Sequence, residues 1–128
     1  MSKLEYRNGL LYTSIELQQG NRKTIVNNVI VDTGASETII LTDYLEELNV
    51  PLTDDDELVK SSGYGGMVFS AIRKKIDKIS LGDISIDGLK LDFGVIDPFE
   101  RVNGLIGLNF LKSAGVIIDL SDLTIYKK

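Results

Sequence analysis

The chain has 128 residues, 43% of them hydrophobic and 26% charged, with a net charge of −5. That length allows one domain with a sizeable core, residues 1–128, and no apolar run reaches the length of a membrane span. Cys and His are both missing, which excludes disulfides, thiol nucleophiles, Ser-His-Asp arrangements and zinc sites built on those ligands.

Acid–base chemistry therefore falls to carboxylates, Lys or Tyr. The basic residues are scattered apart from Arg73, Lys74 and Lys75, so there is no electrostatic footprint for nucleic acid. The N-terminal stretch MSKLEYRNGLLYTSIEL lacks the apolar centre of a signal peptide. The expectation is a cytoplasmic protein, or one released from a larger precursor, with no membrane partner.

In chain order, short alternating runs predict strands. Leu10 to Leu17, the turn signal QQGN and KTIVNNVIV ending at Val31 read as a hairpin. ETIIL predicts another strand. TDYLEELNV offers Thr42 and Asp43 as N-caps of a short helical stretch that Pro51 closes. The acidic connection PLTDDDELV leads to two strand-like arms around a Gly-rich tip, Gly63-Tyr64-Gly65-Gly66. ISIDG and LKLDFGVI read as strands separated by a turn at Asp87-Gly88. Gly104 to Gly115 begins as an apolar strand, becomes helical near Gly107 and stops at Gly115, a C-cap residue. VIIDL, a turn at Ser121-Asp122, and LTIYKK form a closing hairpin. The fold class is mostly β with one short C-terminal helix.

The stretch NVIVDTGASETII runs an apolar strand straight into Asp32. A lone Asp at a strand end is ordinarily a turn residue bonded to its own backbone, and Asp119, after the similar VII, reads that way. Asp32 differs in the residues after it: Gly34 lets another backbone approach closely, while Thr33 and Ala35 leave the carboxylate room.

Three segments in this order resemble the retropepsins, the retroviral-type aspartic proteases, and their single-domain relatives. They are Asp32-Thr33-Gly34-Ala35; Ser62-Gly63-Tyr64-Gly65-Gly66 with the subsequent AIRKKIDKI; and Leu105-Ile106-Gly107-Leu108-Asn109-Phe110-Leu111. The resemblance implies a closed β-barrel-type acid protease fold, with a flap at about 58–79 over the active site. It implies an aspartic endopeptidase with no cofactor and no metal.

The same resemblance assigns roles. Asp32, Thr33 and Gly34 would be the catalytic segment, Thr33 bonding across a subunit interface and Gly34 leaving its carbonyl free for substrate. Ala35 and Ser36 would line the groove, Tyr64, Gly65, Gly66 and Met67 would cover it, and Leu105 and Ile106 would wall the pocket. Asn109 reads as structural. Hydrolysis by carboxylates needs two of them sharing a proton, and the chain carries a single Asp-Thr-Gly. The implied partner is an identical chain, with a protein or peptide as substrate.

This chain departs from the viral pattern in several places. The segment between Asp32 and the flap is longer, and the C-terminus continues past the strand that ends the viral enzymes. Ser36 stands where those enzymes carry an Asp and Leu108 where they carry an Arg, so both halves of that ion pair are absent together.

Simpler readings stand beside these. Gly63 to Gly66 could be only a hairpin turn, Tyr64 a loop aromatic, and Leu105 to Leu111 core. Asp54-Asp55-Asp56-Glu57 lacks the spacing of a calcium loop and reads as a solvated acidic loop. As function, the alternative is a catalytically weak or inactive dimerisation or peptide-binding module. A two-carboxylate glycosidase would need a second acid with comparable context, and none stands out.

Overall fold

The computed structural model describes residues 1–62, 68–96 and 101–128. The tip expected at Gly63 to Met67 lies outside the described residues. The chain is mostly β, as its alternating runs imply, with two helices among the described residues.

Strands β1 (Ser2–Lys3) and β2 (Glu5–Arg7) precede the long hairpin of β3 (Leu10–Gln19) and β4 (Arg22–Val31). Gly20 turns that hairpin with φ +58°, a conformation glycine adopts without steric cost. Next come β5 (Ile39–Leu41), α1 (Asp43–Glu47), β6 (Glu57–Ser62), β7 (Val68–Leu81) and β8 (Ile84–Gly94). The chain finishes with β9 (Gly104–Ile106), α2 (Leu108–Ala114), β10 (Val116–Asp119) and β11 (Thr124–Lys127).

The main sheet runs β2-β3-β4-β9-β5-β8-β7-β6. A further antiparallel pairing of β3 with β7, Leu17 opposite Ile79, joins the sheet back on itself. Six strands, β3-β4-β9-β5-β8-β7, thus close into a barrel. Closure removes the free edges of those strands and encloses their inward residues. Leu17, Val26, Ile79, Leu91 and Phe93 fill it, each at most 1% exposed. Each such side chain contributes roughly 1.5–3 kcal/mol on burial. Helix α2 adds Phe110, Leu111 and Ala114 to the same core.

Strand β9 sets the position of the site. It lies parallel to β4, with Val31 opposite Ile106, and antiparallel to β5, with Ile40 opposite Gly104. The connection from β4 to β5, residues 32–38, therefore wraps around the end of β9. A separate three-stranded sheet, β1-β11-β10, packs the terminal segments together.

Three expectations need correction. Asp87-Gly88 makes no turn: β8 runs through it in unbroken antiparallel register with β7, from Leu81 opposite Ile84 to Ala71 opposite Gly94. The reversal occurs instead at Gly82, φ +61°. Gly88 keeps a positive φ of +68° within the strand, because pairing on both sides outweighs the local turn preference. Helix α1 does not run to Pro51. Leu48 is its C-cap, and the chain leaves through Asn49 at φ +57°, a left-handed conformation that Asn tolerates. Thr42 takes the N-cap position, but without a side-chain hydrogen bond.

Other expectations hold. Gly115 caps α2 in the left-handed conformation, φ +63°. β10 and β11 form the closing hairpin, and Asp119 Oδ1 accepts the Ser121 and Asp122 N–H groups at 2.9 and 3.0 Å. That is the turn role its sequence context suggests. The strands β1 and β2 had no clear periodicity to announce them.

Candidate active site

Asp32 is the first residue beyond β4, and β9 holds it there: its N–H donates to the Ile106 carbonyl at 2.9 Å. The chain then turns tightly. Ala35 N–H donates to Asp32 O at 3.2 Å, and Gly34 N–H donates to Asp32 Oδ1 at 2.8 Å. The carboxylate is therefore oriented by its own loop and half-buried, with Thr33 and Gly34 exposed beside it. A Cβ on Gly34 would stand 3.1 Å from Asp32 Oδ1, so a side chain there would crowd the carboxylate.

The far half of the loop rests on the start of α2. Leu108 N–H donates to Ala35 O at 2.8 Å and Asn109 N–H to Ser36 O at 3.0 Å. These first-turn N–H groups have no partner within the helix, and the loop supplies one. Gly107 makes the approach possible, because a Cβ there would overlap the Glu37 carbonyl and lie 2.8 Å from Ala35 O.

Beneath the loop sits Thr38, with no accessible surface. Its hydroxyl donates to Asn109 Oδ1 at 2.6 Å and accepts the Gly107 N–H at 3.1 Å. Asn109 Oδ1 also accepts the Phe110 N–H, and Nδ2 donates to the Lys90 carbonyl. Asn109 is thus structural, as its context suggests. Asp92, 1% exposed, takes the Arg73 fork: Nε to Oδ1 at 2.7 Å and Nη2 to Oδ2 at 3.2 Å. That bond to Asp92 is the chief cause holding the Arg73 guanidinium above its ordinary range.

The structure thus brings together Asp32, Thr33, Gly34, Ala35 and Ser36 with Leu105 and Ile106 of β9. Leu105 is half-buried, whereas the Ile106 side chain lies wholly in the core and meets the loop through its carbonyl. Tyr64, Gly65, Gly66 and Met67 lie outside the described residues. Thr33 also lines a cleft with Leu11, Val31, Ile118 and Leu120. Thr38, Asp92 and Arg73 are support residues that the sequence reading missed. A charge inside the apolar run LKLDFG was the available signal for Asp92.

Among the described residues, no group of three or more acidic side chains is placed to hold a metal ion. None of their helices is long and apolar enough to cross a membrane.

The profile of a family described as "gag-polyprotein putative aspartyl protease" matches residues 19–113. The chain belongs to this family. The matched span of this aspartyl protease relative includes the Asp32 loop, both hairpin arms, β9 and nearly all of α2. Its fold is retropepsin-like. A retropepsin-like aspartic protease from Rickettsia conorii superposes with a TM-score of 0.62 at 23% identity, over 96% of this chain and 86% of that one. The retroviral protease-like domain of Ddi1 from Leishmania major gives 0.61 at 18% identity, over 100% of this chain and 90% of that one. No curated protein matches this gag-type aspartyl protease relative significantly.

Proposed function

We propose that this chain is an aspartic endopeptidase acting as a homodimer, in which Asp32 from each subunit forms one catalytic pair. The observation carrying the reading is the Asp32 loop itself. Its carboxylate is propped by the Gly34 N–H at 2.8 Å, and its backbone is anchored to Ile106 and Leu108. The Asp119 carboxylate is held by its own turn in a similar way; what sets Asp32 apart is that the loop around it is pinned to both β9 and α2.

Two carboxyls about 3 Å apart share one proton and titrate as a unit. The ionised member takes a proton from water, whose oxygen forms a bond to the scissile carbonyl carbon. The protonated member gives its proton to the carbonyl oxygen. Collapse of the resulting diol breaks the C–N bond, and the departing nitrogen takes up a proton.

Thr33 would bond across the two-fold axis, and the Gly34 carbonyl would meet the substrate backbone. Ala35, Ser36 and Leu105 would line the groove, and Ile106 would complete its wall from within the core. The hairpin arms β6 and β7 would carry Tyr64, Gly65, Gly66 and Met67 over an extended peptide held by strand-like hydrogen bonds. Residues 1–128 would act as one protease domain, in the cytoplasm or after release from a precursor. No metal or cofactor enters these steps.

The test is cleavage of a diverse peptide library between about pH 4 and 7, read by mass spectrometry, with Asp32→Asn in parallel. Asn keeps an oxygen for the Gly34 N–H, so the loop should persist while turnover falls about 10³-fold or more. A wild-type protein that is dimeric and cuts nothing would defeat the protease reading in favour of a peptide-binding module.

A further inference from the structure

One guanidinium near the site is shared among three carboxylates on separate segments. Arg73 of β7 grips Asp92 of β8 through two bonds, and its Nη1 lies 3.7 Å from Glu57 of β6. Its Nη2 lies 4.0 Å from Glu37, in the loop that carries Asp32. Asp92 in turn donates its N–H to the Thr38 carbonyl at 2.9 Å. Thr38 holds Gly107 and Asn109, on which the loop rests. Arg73 is thus connected to residues 37 and 38 by two routes, one through its own fork and one through Asp92.

We propose that Arg73 is a positioning residue for the reaction, fixing the Asp32 loop against β8 and the two hairpin arms. The proposal rests on the reading of Asp32 as the catalytic acid. The physical basis is geometric. Lys offers a point charge on a flexible stem, whereas the planar fork of Arg satisfies one carboxylate bidentately and still presents an edge to others. Asp92 at 1% exposure needs that partner, while the Glu37 and Glu57 side chains are 39% and 54% exposed. The last two are open to water without a partner. Their arrangement around Arg73 is therefore not explained by neutralisation of a buried charge, and a small displacement of a catalytic loop is costly to rate.

A purely structural Arg73 would do no more than neutralise Asp92, and the two roles separate experimentally. Wild type, Asp32→Asn, Glu37→Gln and the pair replacement Arg73→Met/Asp92→Leu are compared by urea unfolding and by steady-state peptide hydrolysis. The apolar pair removes the buried charges together, which commonly preserves stability. With positioning, it stays folded but loses about tenfold in kcat, with KM within about twofold. Glu37→Gln leaves the unfolding midpoint in place and lowers kcat about threefold. Added to the apolar pair, it has no further effect, because the shared partner is already gone.

Full kcat in the folded apolar-pair variant overturns the proposal. Should that variant not fold, unchanged kcat in Glu37→Gln overturns it. Wild-type turnover that is absent, or that survives Asp32→Asn, defeats the reading of Asp32, and the positioning role falls with it. Asp32-dependent turnover that ignores the Arg73 network defeats positioning alone.

Discussion

Thr38 shows how much of this site depends on a single hydroxyl. It serves the Gly107 N–H and Asn109 Oδ1 together from a position with no solvent access. Thr38→Val keeps the shape and deletes both bonds, stranding the Gly107 donor. Urea unfolding should show a loss of about 1–3 kcal/mol, with Thr38→Ser much closer to wild type. Gly107→Ala tests the loop from the other side. Its methyl would overlap the Glu37 carbonyl, and the expected cost is about 1–3 kcal/mol in the same measurement. Asp32 and Gly107 could be found in the sequence because short motifs surround them. Thr38 and Arg73 could not, and Asp92 only as a charge inside an apolar run, since each acts through partners on other elements. Thr38 and Asn109, for example, are 71 residues apart in the chain, a pairing that no local pattern reports.

The elements were most legible where local chemistry and tertiary pairing agree. The apolar periods of β3 and β4 and the stop of α2 at Gly115 are of this kind. Gly115 also gives a clean contrast with Gly107, because a Cβ there would meet nothing within 4 Å. Gly115→Ala should therefore cost only the left-handed backbone penalty, about 1–2 kcal/mol by urea unfolding, without moving the Asp32 loop. Where the levels disagree, pairing prevails. Asp87-Gly88 is a strong turn signal, but the ladder with β7 pairs residues on both sides of it, from Ile84 to Gly94, so β8 continues straight. Helix α1 ends early because Asn49 reverses the chain before Pro51 can act. The two misreadings have different causes: sheet bonds override a local turn preference at Asp87-Gly88, whereas α1 is ended by one local signal, Asn49, ahead of another, Pro51.

At the scale of the whole molecule, the acidic connection before β6 is held to the barrel rather than solvated freely. Lys74 Nζ reaches Asp56 Oδ1 at 2.7 Å and the Pro51 carbonyl at 2.8 Å. The hydrogen bond from Lys74, then that from the Thr53 N–H, keeps the Asp56 carboxyl below its ordinary 3.8. A carboxyl lowered in the folded state contributes stability above its unfolded value, and that contribution disappears as pH falls through the folded value. Urea midpoints should therefore decline on acidification below pH 3.8, and Asp56→Asn should flatten that decline. On the proposed dimeric reading, specific activity falls in proportion to chain concentration below the dimer Kd, which a dilution series with sedimentation would reveal. The strand order carries a consequence for biosynthesis. Asp32 is made before the carbonyl of Ile106 and the amides of Leu108 and Asn109 that shape its loop. With translation adding about 5–20 residues per second, the acid leaves the ribosome seconds before its scaffold exists. On the proposed reading, a nascent chain thus carries its own delay, its acid loop unformed until β9 slides in beside β4.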